Sequence, residues 1–278
     1  NCLSAKLGGA QTYVLNVMRC IPKNRKYRIY LLPARALDVQ ELPEHINIIK
    51  PRFNLDNPFF RVIWEFLMLP QLAKELGLSV VFFPGGTSTA RIFGPKYKVV
   101  VTFQNMLPFD SSSTSNFSLI KKIKFTLIRF FQLYSFNRSN GVIFLTKYAH
   151  RLISDKISTK VKSEIIPHGI SQETYNNYKI RKDKFEILYV SDFLPYKNNL
   201  NVFLAVKDLI EEGIEITLTL IGQKDKKQYE KMRQILTDNE HLRNKIKILG
   251  KLPNNEVSKY YKNSSLFLFA SSCENLPF

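Results

Sequence analysis

The sequence predicts an α/β protein built from two units, each with a mainly parallel sheet. Three observations carry that expectation. Short β-rich runs alternate with helical patterns through most of the 278 residues, the alternation resumes after a polar stretch near residue 175, and 45% of the residues are hydrophobic, enough for a sizeable core.

The elements follow in chain order. Ala10, Val14, Val17 and Met18 recur at helical spacing and make one apolar stripe, so a helix is expected over 10–18. Strand-like runs then occupy 28–32 and 46–49. Asn57-Pro58 reads as an N-cap followed by a first-turn proline, opening a helix toward Leu76 with Gly77 as its stop. Pro70 lies inside that span, and a proline there predicts a kink or a break. Strands are expected at 80–83, 98–103 and 141–145. The polar stretch 171–178 reads as an interdomain linker, which places one domain at 1–175 and a second at 176–278. In the second, 186–190, 215–221, 245–249 and 266–269 are strand-like, the last reading as a buried strand. Leu200, Phe203, Leu204, Val206 and Ile210 predict an amphipathic helix over 199–212 that Gly213 ends. The polar opening runs straight into Gly8-Gly9, and the chain stops in a loop after an apolar run. It is therefore read as a fragment truncated at both ends, with the C-terminal part of the second domain missing.

Charge and composition narrow the function classes. There are 41 Lys and Arg against 23 Asp and Glu, a formal charge of +18, which predicts attraction to a polyanion such as nucleic acid, acidic lipid or a phosphorylated substrate. Residues 1–175 hold 24 cations and 10 carboxylates, whereas 176–278 hold 17 and 13, so most of the excess lies in the first domain. Cys2, Cys20 and Cys273 are far apart, without metal or redox spacing, which argues for a reducing compartment and against a disulfide scaffold. No apolar run reaches the roughly 18 residues of a membrane span. The start of the chain also lacks the zones of a signal peptide. A soluble or peripherally membrane-bound cytoplasmic protein is expected.

Ligands of parallel sheets gather at the carboxyl ends of strands, so the loops after the strands hold the candidates. Gly8-Gly9 opens a helix and would expose backbone N–H groups to a phosphate, although a tight turn accounts for two glycines as well. Gln104-Asn105 follows the strand at 98–103. Ser191 to Asn198 follows the strand at 186–190 and brings Lys197 to the start of a helix, where its ammonium could neutralise a bound phosphate or simply be solvated. Glu274 follows the strand at 266–269 and could accept sugar hydroxyls or cap a helix. His168 lies in a turn between the domains, where a structural and a functional role are open, while His45, His150 and His241 read as surface residues. No GxGxxG, Walker loop, DxD or HExxH occurs, so no cofactor and no divalent metal are expected.

Read in sequence, Gly8-Gly9-Ala10, Val99 to Asn105, Gly141 to Thr146, Ile165-Ile166-Pro167-His168-Gly169-Ile170, Ile187 to Ser191 with Lys197-Asn198, Leu220-Ile221-Gly222 and Ser271-Ser272-Cys273-Glu274 resemble the family 4 glycosyltransferases. The resemblance implies a GT-B fold, with two Rossmann-like domains and mainly parallel sheets facing across a cleft. It further implies a donor nucleotide-sugar held mainly by the second domain, with Gly8 and Gly9 facing its diphosphate from the first. Ser191, Lys197, Asn198, Gly222 and Glu274 become donor-binding residues, and Glu274, Gln104 and Asn105 the residues near the reacting sugar. Two departures stand out. Ser191-Asp192 occupies the place of the usual Gly-Arg, and Gln104-Asn105 replaces the frequent His-Asp.

The implied reaction is retaining transfer of a sugar from a nucleotide-diphosphate sugar to a glycan or lipid-linked glycan acceptor, without a metal. Lipid-linked or lipopolysaccharide acceptors imply work at the inner membrane face. Leu119 to Phe131, which interleaves bulky apolar residues with Lys121, Lys122, Lys124 and Arg129, suits either an anionic lipid surface or a core helix with solvated lysines. The competing classes are a non-enzymatic nucleic-acid binder and a GT-B sugar-nucleotide epimerase. Nucleic acid ranks lower because no helix-turn-helix, zinc or RNP-type signature accompanies the charge.

Overall fold

A computed structural model describes residues 1–5, 9–23, 27–35, 37–40, 42–89, 94, 96–115, 117–169, 185–223 and 225–276. The expected linker at 171–178 lies outside them. Two compact units emerge. The first comprises Asn1–Asp110, Phe117–Gly169 and Glu274–Phe278, and the second Ser111–Asn116 and Ile170–Cys273.

In the first unit α1 (Gly9–Cys20) buries Val14 and Met18 against Cys2, Ala5, Leu31 and Leu37, which is the stripe expected of it. β1 (Ile29–Leu31) and β2 (Ile46–Ile48) pair in parallel. The helical span expected from Asn57 is two helices, α2 (Pro58–Leu67) and α3 (Leu69–Glu75). Asn57 Oδ1 accepts the Phe59 N–H at 2.9 Å to open α2. The break falls at Met68, and Pro70 then sits in the first turn of α3, where a missing N–H costs nothing. β3 (Val80–Phe83), β4 (Lys98–Phe103), β5 (Gly141–Phe144) and β6 (Lys162–Ile165) form a parallel sheet in that order. Phe103 is fully buried and meets Phe109, Phe136 and Phe144 edge-on at 5.2, 5.5 and 6.0 Å, geometry that aromatic quadrupoles favour. α5 (Leu119–Arg138) lies between β4 and β5 in the chain, and α6 (Lys147–Ser154) is capped by Thr146 Oγ1, which accepts the Ala149 N–H at 3.0 Å.

The second unit holds the short helix α4 (Ser111–Thr114) and a parallel sheet of order β10-β7-β8-β9, made of β7 (Phe185–Val190), β8 (Ile216–Ile221), β9 (Ile246–Ile248) and β10 (Leu266–Phe267). α7 (Asn199–Glu211), α8 (Lys226–Asp238), α9 (Glu240–Arg243) and α10 (Asn254–Asn263) connect the strands. Val202, Phe203, Val206 and Ile210 of α7 bury themselves against Leu218, Leu220 and Met232. β7 buries Ile187, Leu188 and Tyr189 in succession, as a strand covered on both faces does.

Two expectations are corrected. The run at 266–269 is not a buried strand, because only Leu266 and Phe267 are extended, at the edge of the sheet, and both are exposed. His45 and His150 are half-buried, not surface residues: His45 Nε2 lies 3.0 Å from the Ile21 carbonyl oxygen, and the His150 ring packs edge-on against Phe144 at 5.0 Å. His168 follows β6 at the end of the first unit, half-buried against the Tyr13 ring at 5.0 Å.

Candidate functional site

The second unit gathers four of the expected site residues around the start of α7. β7 ends at Val190, and the Ser191 N–H donates to the Ile221 carbonyl at 2.9 Å, which lays the turn after β7 beside the turn after β8. Gly222 is required by this approach: a Cβ there would stand 1.8 Å from the Ser191 carbonyl oxygen, and its φ is +155°. Asp192, in the place where a cation is usual in the family, accepts the Gln223 N–H on Oδ1 at 3.0 Å, so its carboxylate serves the turn.

From Ser191 the chain passes through the 3₁₀ turn Pro195–Lys197 into α7. Asn198 takes the left-handed conformation at φ 58°, which asparagine tolerates better than most side chains, and donates from Nδ2 to the Ala270 carbonyl at 2.7 Å. Asn198 therefore stitches the loop after β10 to the start of α7. Ser272 adds to the stitch, its N–H donating to the Tyr196 carbonyl at 2.8 Å. Asn199, fully buried, donates from Nδ2 to Ser191 Oγ at 3.1 Å while its Oδ1 has no partner. Lys197 is positioned by aromatic faces: Nζ lies 5.2 Å from the Tyr196 ring centre and 5.8 Å from that of Phe269, and the Tyr189 hydroxyl donates to the Lys197 carbonyl. An ammonium held over two rings gains cation–π attraction and loses side-chain freedom.

The first unit holds the remaining residues. Gly9 is the exposed first residue of α1, and Gly8 lies outside the described residues. Gln104 and Asn105 follow β4. Gln104 keeps Nε2 buried without a hydrogen-bond partner, and Asn105 Oδ1 accepts the Leu107 N–H at 3.2 Å, an Asx-type turn. Glu274 stands at the start of the segment that returns to this unit, and its neighbour fixes that return. Asn275 Nδ2 donates to the Phe103 carbonyl at 2.6 Å and the Gln104 carbonyl at 3.4 Å, while Oδ1 accepts from Thr146 Oγ1 at 3.2 Å. One amide thus ties Glu274 to the carboxyl ends of β4 and β5, where Gln104 sits. On the same unit, burial pushes the His168 imidazole down to about 4 and raises the Tyr13 phenol, so both are neutral around pH 7.

Sequence reasoning did not find Asn199 or Asn275. Each acts by side-chain hydrogen bonds to groups distant in sequence, or across a turn, and an asparagine among asparagines carries no local signal. Among the described residues no group of three His, Cys, Asp or Glu could hold a metal ion. The arrangement in the second unit offers an ammonium beside a helix start that no side chain caps. In the first, amides, hydroxyls and one carboxylate gather at the strand ends, which suits hydroxyl-rich ligands.

Two parallel α/β units of this order define the GT-B class of fold. The chain belongs to glycosyltransferase family 4, whose model matches residues 7–174, and the model of glycosyl transferases group 1 matches 171–278. No curated protein sequence matches it. Among solved structures, Anabaena HepE in complex with UDP is 15% identical with a TM-score of 0.65, covering 97% of this chain and 72% of its own. The lipopolysaccharide outer core galactosyltransferase WaaB, apo form, is 16% identical with a TM-score of 0.58, covering 98% and 73%. Sucrose-phosphate synthase from Thermosynechococcus elongatus is 12% identical with a TM-score of 0.62, and the chain spans 63% of its length.

Proposed function

We propose that the chain moves a sugar from a nucleotide-diphosphate sugar to a glycan or lipid-linked acceptor, with retention and without a metal. The observation that carries this is Lys197, held over Tyr196 and Phe269 beside the start of α7. Such an arrangement supplies positive potential of the kind that favours a diphosphate gaining charge as a glycosidic bond breaks. HepE has been solved with UDP-glucose, which supports a nucleotide-sugar donor. Lys197, Ser191 and the α7 amides take the diphosphate, with Gly9 at α1 as a second contact; Asn198 and Gly222 shape that seat. Glu274, Gln104 and Asn105 meet the transferred sugar, and a donor phosphate oxygen removes the acceptor hydroxyl proton as the leaving group departs on the same face. The two domains divide near residue 175, the first serving the acceptor and the second the donor.

The acceptor reading favours the inner membrane face. α5 exposes Leu119, Ile120, Ile123, Leu127, Phe130 and Phe131 among its cations and holds no carboxylate along its 20 residues, which suits peripheral attachment to anionic lipid. Among the described residues no helix is long and apolar enough to cross a membrane.

Thermal shift with uridine, guanosine, adenosine and cytidine diphosphates in the presence of a chelator tests the donor reading. One of them should stabilise the chain by about 2.7 kcal/mol at a hundredfold excess over its Kd. No response to any nucleotide, together with tight and salt-sensitive oligonucleotide binding, would overturn it in favour of a nucleic-acid binder. Product analysis with the matched nucleotide-sugar then separates transfer from epimerisation.

A further inference from the structure

α2 is built inside out. Phe59, Phe60, Val62, Ile63, Phe66 and Leu67 are all exposed, Phe59 by 68% and Phe66 by 55%. At 3.6 residues per turn they fall on one continuous arc of about 160°. The opposite face points its charges inward. Glu65 is buried, accepts from Asn1 Nδ2 at 2.9 Å and faces Arg61 at 4.0 Å, and burial raises its carboxyl above the usual range. A surface helix of a soluble domain normally turns its apolar stripe to the core, so this one presents to the outside what other helices hide. The groove that leads into α2 is lined by Arg35, Lys50 and Arg52, with Asp56 as its one carboxylate.

We infer that α2 lies in the headgroup and acyl boundary of an anionic bilayer, with Arg35, Lys50 and Arg52 against lipid phosphates. The inference rests on the reading of α5 above and deepens it by adding an inserting element to an attracting one. Charge decides between lipid and a second copy of the chain: residues 1–175 carry 24 cations against 10 carboxylates, so two such units repel while an anionic surface attracts. At 10 residues α2 is roughly 15 Å long, too short to span a bilayer and long enough to lie in its interface.

The single tryptophan of the chain, Trp64, sits in α2 and reports on it without labelling. With phosphatidylglycerol and phosphatidylcholine vesicles carrying lipid brominated near the headgroup, Trp64 emission should shift to the blue and fall by about half or more. F59S/F66S, two changes at exposed positions, should lower vesicle partitioning at least about tenfold. K121E/K122E should weaken flotation at low salt only. Flotation of the unaltered chain with Trp64 unquenched overturns the role of α2 and leaves α5 standing. Quenching that survives K121E/K122E with no change in flotation removes α5 and keeps α2. Failure to float on any vesicle overturns both. Light scattering that shows a dimer, lost in F59S/F66S without lipid quenching, would assign this face to self-association and refute the inference.

Discussion

Substitution of Gly222 by alanine tests whether the turns after β7 and β8 are as tightly joined as the site requires. The new Cβ would stand 1.8 Å from the Ser191 carbonyl oxygen, 2.4 Å from its carbon and 3.0 Å from the Asp192 nitrogen. All three are backbone atoms, so no rotamer change relieves the clash. The turns must part, which forfeits the 2.9 Å bond from the Ser191 N–H to the Ile221 carbonyl, worth about 1 kcal/mol. Overpacking adds about 1–3 kcal/mol and the unfavourable φ about 1–3 more. A total of about 3 kcal/mol or more corresponds to a fall of about 12 °C or more in the Tm of a unit near 100 residues. Calorimetry of the full chain should show the transition of the second unit moving down while that of the first stays. Because Ser191 leaves its place, nucleotide affinity measured below both transitions should fall as well. A G222A chain with an unchanged thermal profile would refute the account of the turn.

Three further outcomes are expected. Lys197→Ala removes a charge-assisted contact and should weaken nucleotide diphosphate binding at least about tenfold by calorimetric titration, with Lys197→Arg intermediate; equal affinities would deny Lys197 a phosphate. Asn275→Ala leaves the Thr146 hydroxyl and the Phe103 carbonyl without their shared partner and should destabilise by about 1–3 kcal/mol. If Asn275 positions Glu274, kcat falls more than KM for the donor rises, whereas loss of stability alone would limit it to a structural role. His168, lowered from 6.5 to about 4 by burial, takes up its proton later in the folded chain than in the unfolded one. Stability should therefore decline as pH falls from 6.5 toward 4; that decline should shrink in His168→Gln, and identical pH profiles of Tm would refute the assignment.

Much of the fold was legible because local signals and packing agree. The stripe of Ala10, Val14, Val17 and Met18 buries two of its members in α1, and Gly213 follows α7 with φ +88°. Pro70 forecast a break, and the break came two residues earlier, where proline falls in the first turn of a new helix. β6 escaped because all four of its residues are exposed, leaving neither alternation nor an apolar run to read. The run at 266–269 misled in the opposite sense: an edge strand with exposed Leu266 and Phe267 has the composition of a buried one. Local pattern identified α2 as a helix but not which way it faces. That depends on Asn1, 64 residues from the Glu65 it bonds.

The same distinction separates the candidate site residues from what holds them. Lys197 and Glu274 are singled out by residue type and position after a strand, but neither is placed by its own neighbours in sequence alone. Lys197 depends on Phe269 and, through Asn198, on the carbonyl of Ala270, 72 residues away. Glu274 depends on Asn275, which reaches a carbonyl 172 residues away. Backbone carbonyls are present at every position, so a change of side chain at Ala270 or Phe103 leaves these bonds intact as long as the strands keep their register. Asparagine, by contrast, supplies a donor of fixed reach, and a shorter serine or an acceptor-only aspartate would leave the carbonyls of Phe103 and Gln104 bare. The amides are thus the constrained partners in both units, and the spacing between strand ends and asparagines is what local sequence could not show.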